Sequence, residues 1–160
     1  MSSISETLVA LARDRGVMIA TAESCTGGMI SAAITDVPGS SSVFDRGFVT
    51  YSNAAKTAML GVSEATLAAH GAVSEEVAAE MAAGALARSD AAVSVAVTGI
   101  AGPGGSEFKP EGRVCFGLAR RESEPVTETV DFGALGRANV RAATRDHALK
   151  MLIAALSEHP

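Results

Sequence analysis

The sequence predicts an α/β fold, a single three-layer domain with helices on both faces of a mixed sheet. Three observations predict it. Short apolar runs alternate with longer stretches whose apolar residues recur at helical spacing. Residues 91–98 form a nearly continuous apolar run, as expected of a strand buried on both faces. The last two strand-like segments, 113–120 and 126–132, lie too close in sequence for a crossover helix, so they form a hairpin and make the sheet mixed.

Each element has its own justification. Ile4, Leu8, Leu11 and Ala12 share a helical face over residues 3–15, and Gly16 can end that helix. A strand over about 17–22 and a helix over about 25–36 follow, and Pro38-Gly39 with three serines makes a turn. Residues 46–52 read as a second strand. Asn53 caps a helix through Leu60, and Ser63-Glu64 opens another that stops at His70-Gly71. Ser74-Glu75-Glu76 starts the longest middle helix, to about Arg88. The loop 99–112 is rich in Gly and Pro, and a final helix spans about 137–157.

Composition narrows the function. The 160 residues fit one domain, taken as 1–160, with no internal repeat and no dividing linker. Hydrophobic residues make up 48% but aromatics only 4%, so the core must be built from Ala, Val, Ile, Leu and Met. A net charge of −5 and the lack of any Lys/Arg block argue against nucleic acid as a partner, while leaving room for a local basic pocket. Cys25 and Cys115 are isolated thiols, and His70, His147 and His159 are scattered without metal-ligand spacing, so no metal is expected. With no membrane-length apolar run and no leader pattern, the expected location is cytoplasmic, with no membrane partner.

The segment Thr21-Ala22-Glu23-Ser24-Cys25-Thr26-Gly27-Gly28 carries the strongest chemical signal. A Ser between a strand and a helix sits among N–H groups that lack helical partners, which can hold a phosphate or stabilise an oxyanion. Paired glycines allow a ligand to approach the backbone. An ordinary N-cap is the competing reading. Cys25 rivals Ser24 as nucleophile, because thiol pKa values fall at helix N-termini.

Tyr51 and Lys56 straddle a strand-to-helix junction and could point into one cleft, where a Lys of lowered pKa can serve as general base for a Ser. A solvated Lys is the plainer alternative. Thr98-Gly99-Ile100-Ala101-Gly102-Pro103-Gly104-Gly105 follows the buried strand, at the edge where α/β ligands bind. Arg137 and Arg141, four apart, share a helix face and could grip a phosphate, or simply be exposed. The P-loop Lys and a complete dinucleotide fingerprint are both missing.

Together the segments AESCTGG, FDRGFVTYSNAAK, TGIAGPGG and GRANVR, in this order and spacing, make the chain resemble the CinA C-terminal domain family over about residues 5–157. It looks like a stand-alone member of the PncC type. The resemblance implies a three-layer α/β/α fold with a mixed five-stranded sheet. It also implies nicotinamide-nucleotide amidohydrolase activity: water converts nicotinamide mononucleotide to nicotinate mononucleotide and ammonia, in pyridine-nucleotide (NAD) recycling. On that basis Ser24 attacks the amide carbon, Lys56 accepts its proton, and Tyr51 relays or orients that proton. Thr26 and Gly27, with Gly28 beside them, are the expected oxyanion donors. Thr98 holds the amide or ribose, and Gly99, Ala101, Gly102, Arg141 and Arg137 bind phosphate or ribose. No cofactor or metal is implied. The expected partners are the small-molecule substrate and a second copy in a homo-oligomer, a dimer being favoured.

Two departures from the family pattern stand out. Lys109-Pro110-Glu111-Gly112 carries Glu where Val is usual, with Glu111 expected to face solvent, and Ser106-Glu107-Phe108 places Phe108 where a polar residue is expected. The alternative function is a catalytically silent nucleotide-binding or interaction module of the competence/damage-inducible type.

Overall fold

The computed structural model describes residues 3–106 and 108–158; Glu107 and His159, both singled out above, lie outside the described residues. The elements are α1 (Ile4–Arg15), β1 (Ile19–Glu23), α2 (Met29–Thr35), β2 (Phe44–Val49), α3 (Asn53–Leu60), α4 (Glu64–His70), α5 (Glu75–Ala87), β3 (Val93–Gly99), β4 (Arg113–Arg120), β5 (Val126–Asp131) and α6 (Arg137–Ser157). They build one five-stranded sheet of order β2-β1-β3-β4-β5. β2, β1 and β3 run parallel, and β4 and β5 are antiparallel to their neighbours, so the sheet is mixed as its closing hairpin requires.

Alternation along the strands sorts the core into two layers. Ile19, Val93, Val95 and Val97 point to one face, against Leu8 and Val9 of α1, Ile30 and Ile34 of α2, and Val140, Leu149 and Leu152 of α6. Ala20, Ala22, Ala96 and Ala119 point to the other, against Val77, Met81, Ala82 and Ala85 of α5. The second layer is built of small side chains, and this is how an aromatic-poor sequence fills its core. α5 packs against Gly117, where an added Cβ would sit 2.4 Å from the Ala78 carbonyl oxygen.

The same closeness governs Gly84 inside α5. A Cβ there would lie 2.0 Å from the Leu60 carbonyl oxygen, a backbone atom that cannot swing aside. Gly84→Ala should therefore destabilise the protein although alanine is the better helix former, by about 3 kcal/mol. Thermal unfolding should show a Tm lower by roughly 5–10 °C. An unchanged or raised Tm would contradict this packing.

Several boundaries differ from the sequence reading. α2 starts at Met29 rather than near 25, because residues 25–28 form a turn with Gly27 and Gly28 at positive φ (58° and 111°). β2 runs 44–49 rather than 46–52, and Ser52, not Asn53, caps α3 by accepting the Ala55 N–H at 3.0 Å. α1 carries a full capping box between Ser3 and Glu6 and ends at a left-handed Gly16.

β1 leads through α2 on one face to β2, whereas β2 leads through α3, α4 and α5 on the other face to β3, on the opposite side of β1. The carboxyl end of β1 is thus a topological switch point, where open α/β sheets leave a crevice. Ser24, the 50–56 segment and the 99–105 loop all leave the sheet there.

Candidate active site

A cleft of about 340 Å³ opens at this edge, lined by Ser24, Cys25, Tyr51, Asn53, Lys56, Thr98, the 99–106 loop, Arg137, and Ala72 and Val73 of the α4–α5 connection. Lys56, on the first turn of α3, is only 1% exposed. Its Nζ lies 3.1 Å from Ser24 Oγ, 3.2 Å from the Thr50 carbonyl oxygen and 3.4 Å from that of Tyr51. The solvated-surface alternative for Lys56 does not hold here.

Three oxygens around one nitrogen suit both of its protonation states. The ammonium can donate to all three. The neutral amine can donate to the two carbonyls, which leaves its lone pair facing the Ser24 hydroxyl. Burial pushes the Lys56 pKa down from its ordinary 10.5, and neighbouring Cys25 opposes that in smaller measure. Cys25 is buried too. Burial is the largest influence on its thiol, which is pushed up to about 11 and stays protonated near neutrality. Of the two candidate nucleophiles, Ser24 is the one with a base against it.

Tyr51 arrives differently from the sequence reading. Its backbone carbonyl reaches Lys56, but its side chain is 59% exposed and its hydroxyl accepts a hydrogen bond from Arg137 at 2.8 Å. A second Arg137 nitrogen donates to the Gly102 carbonyl at 2.8 Å. Arg137 thus ties the mouth of the cleft together across α6, Tyr51 and the Gly-rich loop. Thr98 is buried at the floor and donates to the Ala72 carbonyl at 2.8 Å. Gly99, Ala101 and Gly102 all line the cleft, and among the described residues the N–H groups of Ala101 and Gly102 have no hydrogen-bond partner.

Four proposed binding residues lie off the cleft. Arg141 does not share a target with Arg137: its Nε donates to the Cys25 carbonyl at 3.0 Å and another nitrogen to that of Thr26 at 3.1 Å. It braces the turn that follows Ser24. The Gly27 N–H donates to the Ser24 carbonyl at 3.0 Å, so it is not free for an oxyanion, and the Gly28 N–H goes to Glu23 at 3.2 Å. Thr26 is buried with its hydroxyl on Glu23 at 2.6 Å, although among the described residues its N–H has no partner.

Glu23 was not singled out from the sequence. Its carboxylate fills the start of α2 that the sequence reading left open to a phosphate. Asn53, Ala72 and Val73 were missed as cleft residues as well. Asn53 reads as a cap until Ser52 proves to hold that role, which frees its side chain for the cleft. Ala72 and Val73 carry no chemical signal of their own.

The family model described as CinA C-terminal domain matches residues 1–156. The chain belongs to the CinA C-terminal domain family. It is 54% identical over 158 residues to a CinA-like protein of Chlorobium phaeobacteroides, covering 96% of this chain but only 38% of that one. To the nicotinamide-nucleotide amidohydrolase PncC of Escherichia coli K12 it is 49% identical over 153 residues, covering 95% of this chain and 92% of that one. The crystal structure of the competence/damage inducible protein CihA from Agrobacterium tumefaciens superposes with a TM-score of 0.90 at 49% identity, covering 99% of this chain and 100% of that one.

Within this CinA C-terminal domain the two departures take definite places. Glu111 does not simply face solvent. Its carboxylate accepts the Gly104 N–H and lies against Gly102, where an added Cβ would meet its Cδ at 2.6 Å. It puts a negative charge behind the Gly-rich loop. Phe108 stands fully exposed on a tight hairpin closed by two Ser106–Lys109 backbone hydrogen bonds, with φ at 64°. Lys109 anchors that hairpin by donating to the His70 carbonyl at 2.7 Å. No helix among the described residues is long and apolar enough to cross a membrane, and no group of three or more metal-ligating side chains occurs among them.

Proposed function

We propose that this chain is a nicotinamide-nucleotide amidohydrolase, hydrolysing nicotinamide mononucleotide to nicotinate mononucleotide and ammonia in pyridine-nucleotide recycling. The observation that carries the reading is the buried Lys56 Nζ 3.1 Å from Ser24 Oγ, in a cleft that no carboxylate lines among the described residues. The name borne by the Escherichia coli relative supports the substrate.

Neutral Lys56 takes the proton of Ser24 as Oγ attacks the carboxamide carbon, and the resulting ammonium protonates the departing nitrogen, releasing ammonia. Water then attacks the acyl-enzyme, with Lys56 again taking a proton, and returns Ser24 to its hydroxyl. Of the donors named for the developing oxyanion, the Thr26 N–H is the one with no hydrogen-bond partner among the described residues, whereas those of Gly27 and Gly28 are taken. Arg137 and the N–H groups of Ala101 and Gly102 offer the positive end of the cleft to the phosphate. Tyr51 shapes that end through its bond to Arg137, with its proton-relay role left to Lys56.

Ammonia release from nicotinamide mononucleotide by the purified protein, with EDTA present, tests the reading. Rapid release is expected. Tight binding of the nucleotide without release would instead support the silent binding module. The same assay reads the effect of Glu111. Removing its charge by Glu111→Gln keeps an acceptor for the Gly104 N–H and should lower KM for the phosphorylated substrate by roughly two- to tenfold, with kcat unchanged. KM for the unphosphorylated nucleoside should not move. An equal change for both would refute the phosphate's placement at this loop.

A further inference from the structure

We infer that Glu23 is a positioning residue that holds Ser24 against Lys56 by acting as an internal anion at the start of α2. The inference rests on the reading of Ser24 as nucleophile. Glu23 is fully buried, and among the described residues no lysine, arginine or histidine pairs with its carboxylate.

Five donors surround it instead. Oε1 accepts the Thr26 hydroxyl (2.6 Å) and the N–H groups of Gly28 (3.2 Å) and Ile30 (2.9 Å). Oε2 accepts the Ser31 N–H (2.9 Å) and hydroxyl (2.7 Å). Three of these are backbone groups at the start of α2, where the helix dipole also favours a negative charge. Gly28, at the N-cap position, has no side chain to do this.

A local cap would serve α2 alone. Glu23 reaches the helix from the end of β1, across the turn that carries Ser24, so its carboxylate fixes that turn at both ends. Its own carbonyl accepts the Thr50 N–H at 2.8 Å, and the Thr50 carbonyl in turn faces Lys56 Nζ at 3.2 Å. Ser24 itself is pinned by its N–H to the Val97 carbonyl at 3.1 Å. One residue therefore sets the nucleophile turn through its side chain and the base-bearing segment through its backbone. A further consequence is that the start of α2 is closed to any substrate anion.

The test is Glu23→Gln, read by kcat and KM for ammonia release, by the rate at which a fluorophosphonate labels Ser24, and by Tm. With its oxygen toward Thr26, Gly28 and Ile30, the amide keeps three bonds and leaves the Ser31 N–H facing a donor, so the fold should survive while the turn loosens. We expect kcat to fall roughly ten- to a hundredfold, KM to stay within about threefold, and labelling to slow in parallel with kcat. A lowered Tm with kcat and labelling unchanged would reduce Glu23 to a structural cap and overturn the inference. A raised KM at unchanged kcat would overturn it too.

If Glu23→Gln fails to fold, Thr26→Val removes a single hydroxyl donor and should still slow both kcat and labelling by about three- to tenfold; no change in either would count as failure. A wild type that is labelled at Ser24 but releases no ammonia sinks the proposed substrate and leaves Glu23 to be decided by labelling alone. Absence of both sinks Ser24 as nucleophile and Glu23 with it.

Discussion

Replacing Ser24 by alanine should lower ammonia release on the order of 10⁴-fold or more while leaving nucleotide binding nearly intact. The asymmetry follows from the geometry. Ser24 is 7% exposed and contributes one hydroxyl to a cleft whose walls come from other segments, so deleting Oγ removes little binding surface. Lys56 keeps its contacts to the Thr50 and Tyr51 carbonyls and stays in place. The neighbouring thiol offers no rescue, because burial pushes Cys25 up to about 11. Calorimetric titration with the nucleotide should give a Kd close to that of the wild type. Quenched wild-type enzyme should carry the acyl mass on the peptide containing Ser24. Undiminished release by Ser24→Ala would remove Ser24 from the mechanism.

Lys56→Met should cost on the order of 10³-fold in kcat, the usual weight of a positioned general base. The wild-type rate should also rise with pH. Lys56 works as a base only when neutral, and burial moves its pKa below the ordinary 10.5, so the active fraction climbs as pH approaches that lowered value and then levels off. A rate flat over about pH 6 to 9 would count against Lys56 as the base. Stability follows the same sign. Between the lowered folded value and 10.5 the unfolded chain binds more protons at this lysine than the native state does, so stability rises with pH across that window. The comparison is with Lys56→Met measured alongside, since Cys25 titrates in the opposite sense. A wild-type-minus-variant difference independent of pH would show that Lys56 is not desolvated in solution.

Much of the fold was legible because its signals are local. The helical spacing of Leu8, Leu11 and Ala12, the Ser74-Glu75-Glu76 start and the apolar run leading into Thr98 each follow from the period of a few consecutive residues. The misread boundaries occur where neighbouring residues could play the same part. Ser52 and Asn53 are both good caps, and only the backbone angles of residue 52 place Ser52 there. The late start of α2 follows from the left-handed Gly27 and Gly28, and the N–H groups it leaves are taken by a side chain in the preceding strand, Glu23, which no reading of helix periodicity would consult.

The site shows the same division. Sequence alone determined that Ser24, Tyr51, Lys56 and the 98–105 segment stand at strand ends, and in an α/β fold strand ends converge on one edge of the sheet. It also determined the small-residue core, through a composition with almost no aromatics. Only the tertiary structure decided which partner each polar group finds. Arg137 and Arg141 are equivalent by helical spacing, yet one reaches Tyr51 and Gly102 while the other reaches the Cys25 and Thr26 carbonyls. Helical and strand periods are set by the nearest few residues. A buried polar group, by contrast, takes whichever donor or acceptor packing brings within about 3 Å, and for Lys56 that was a hydroxyl 32 positions earlier in the chain.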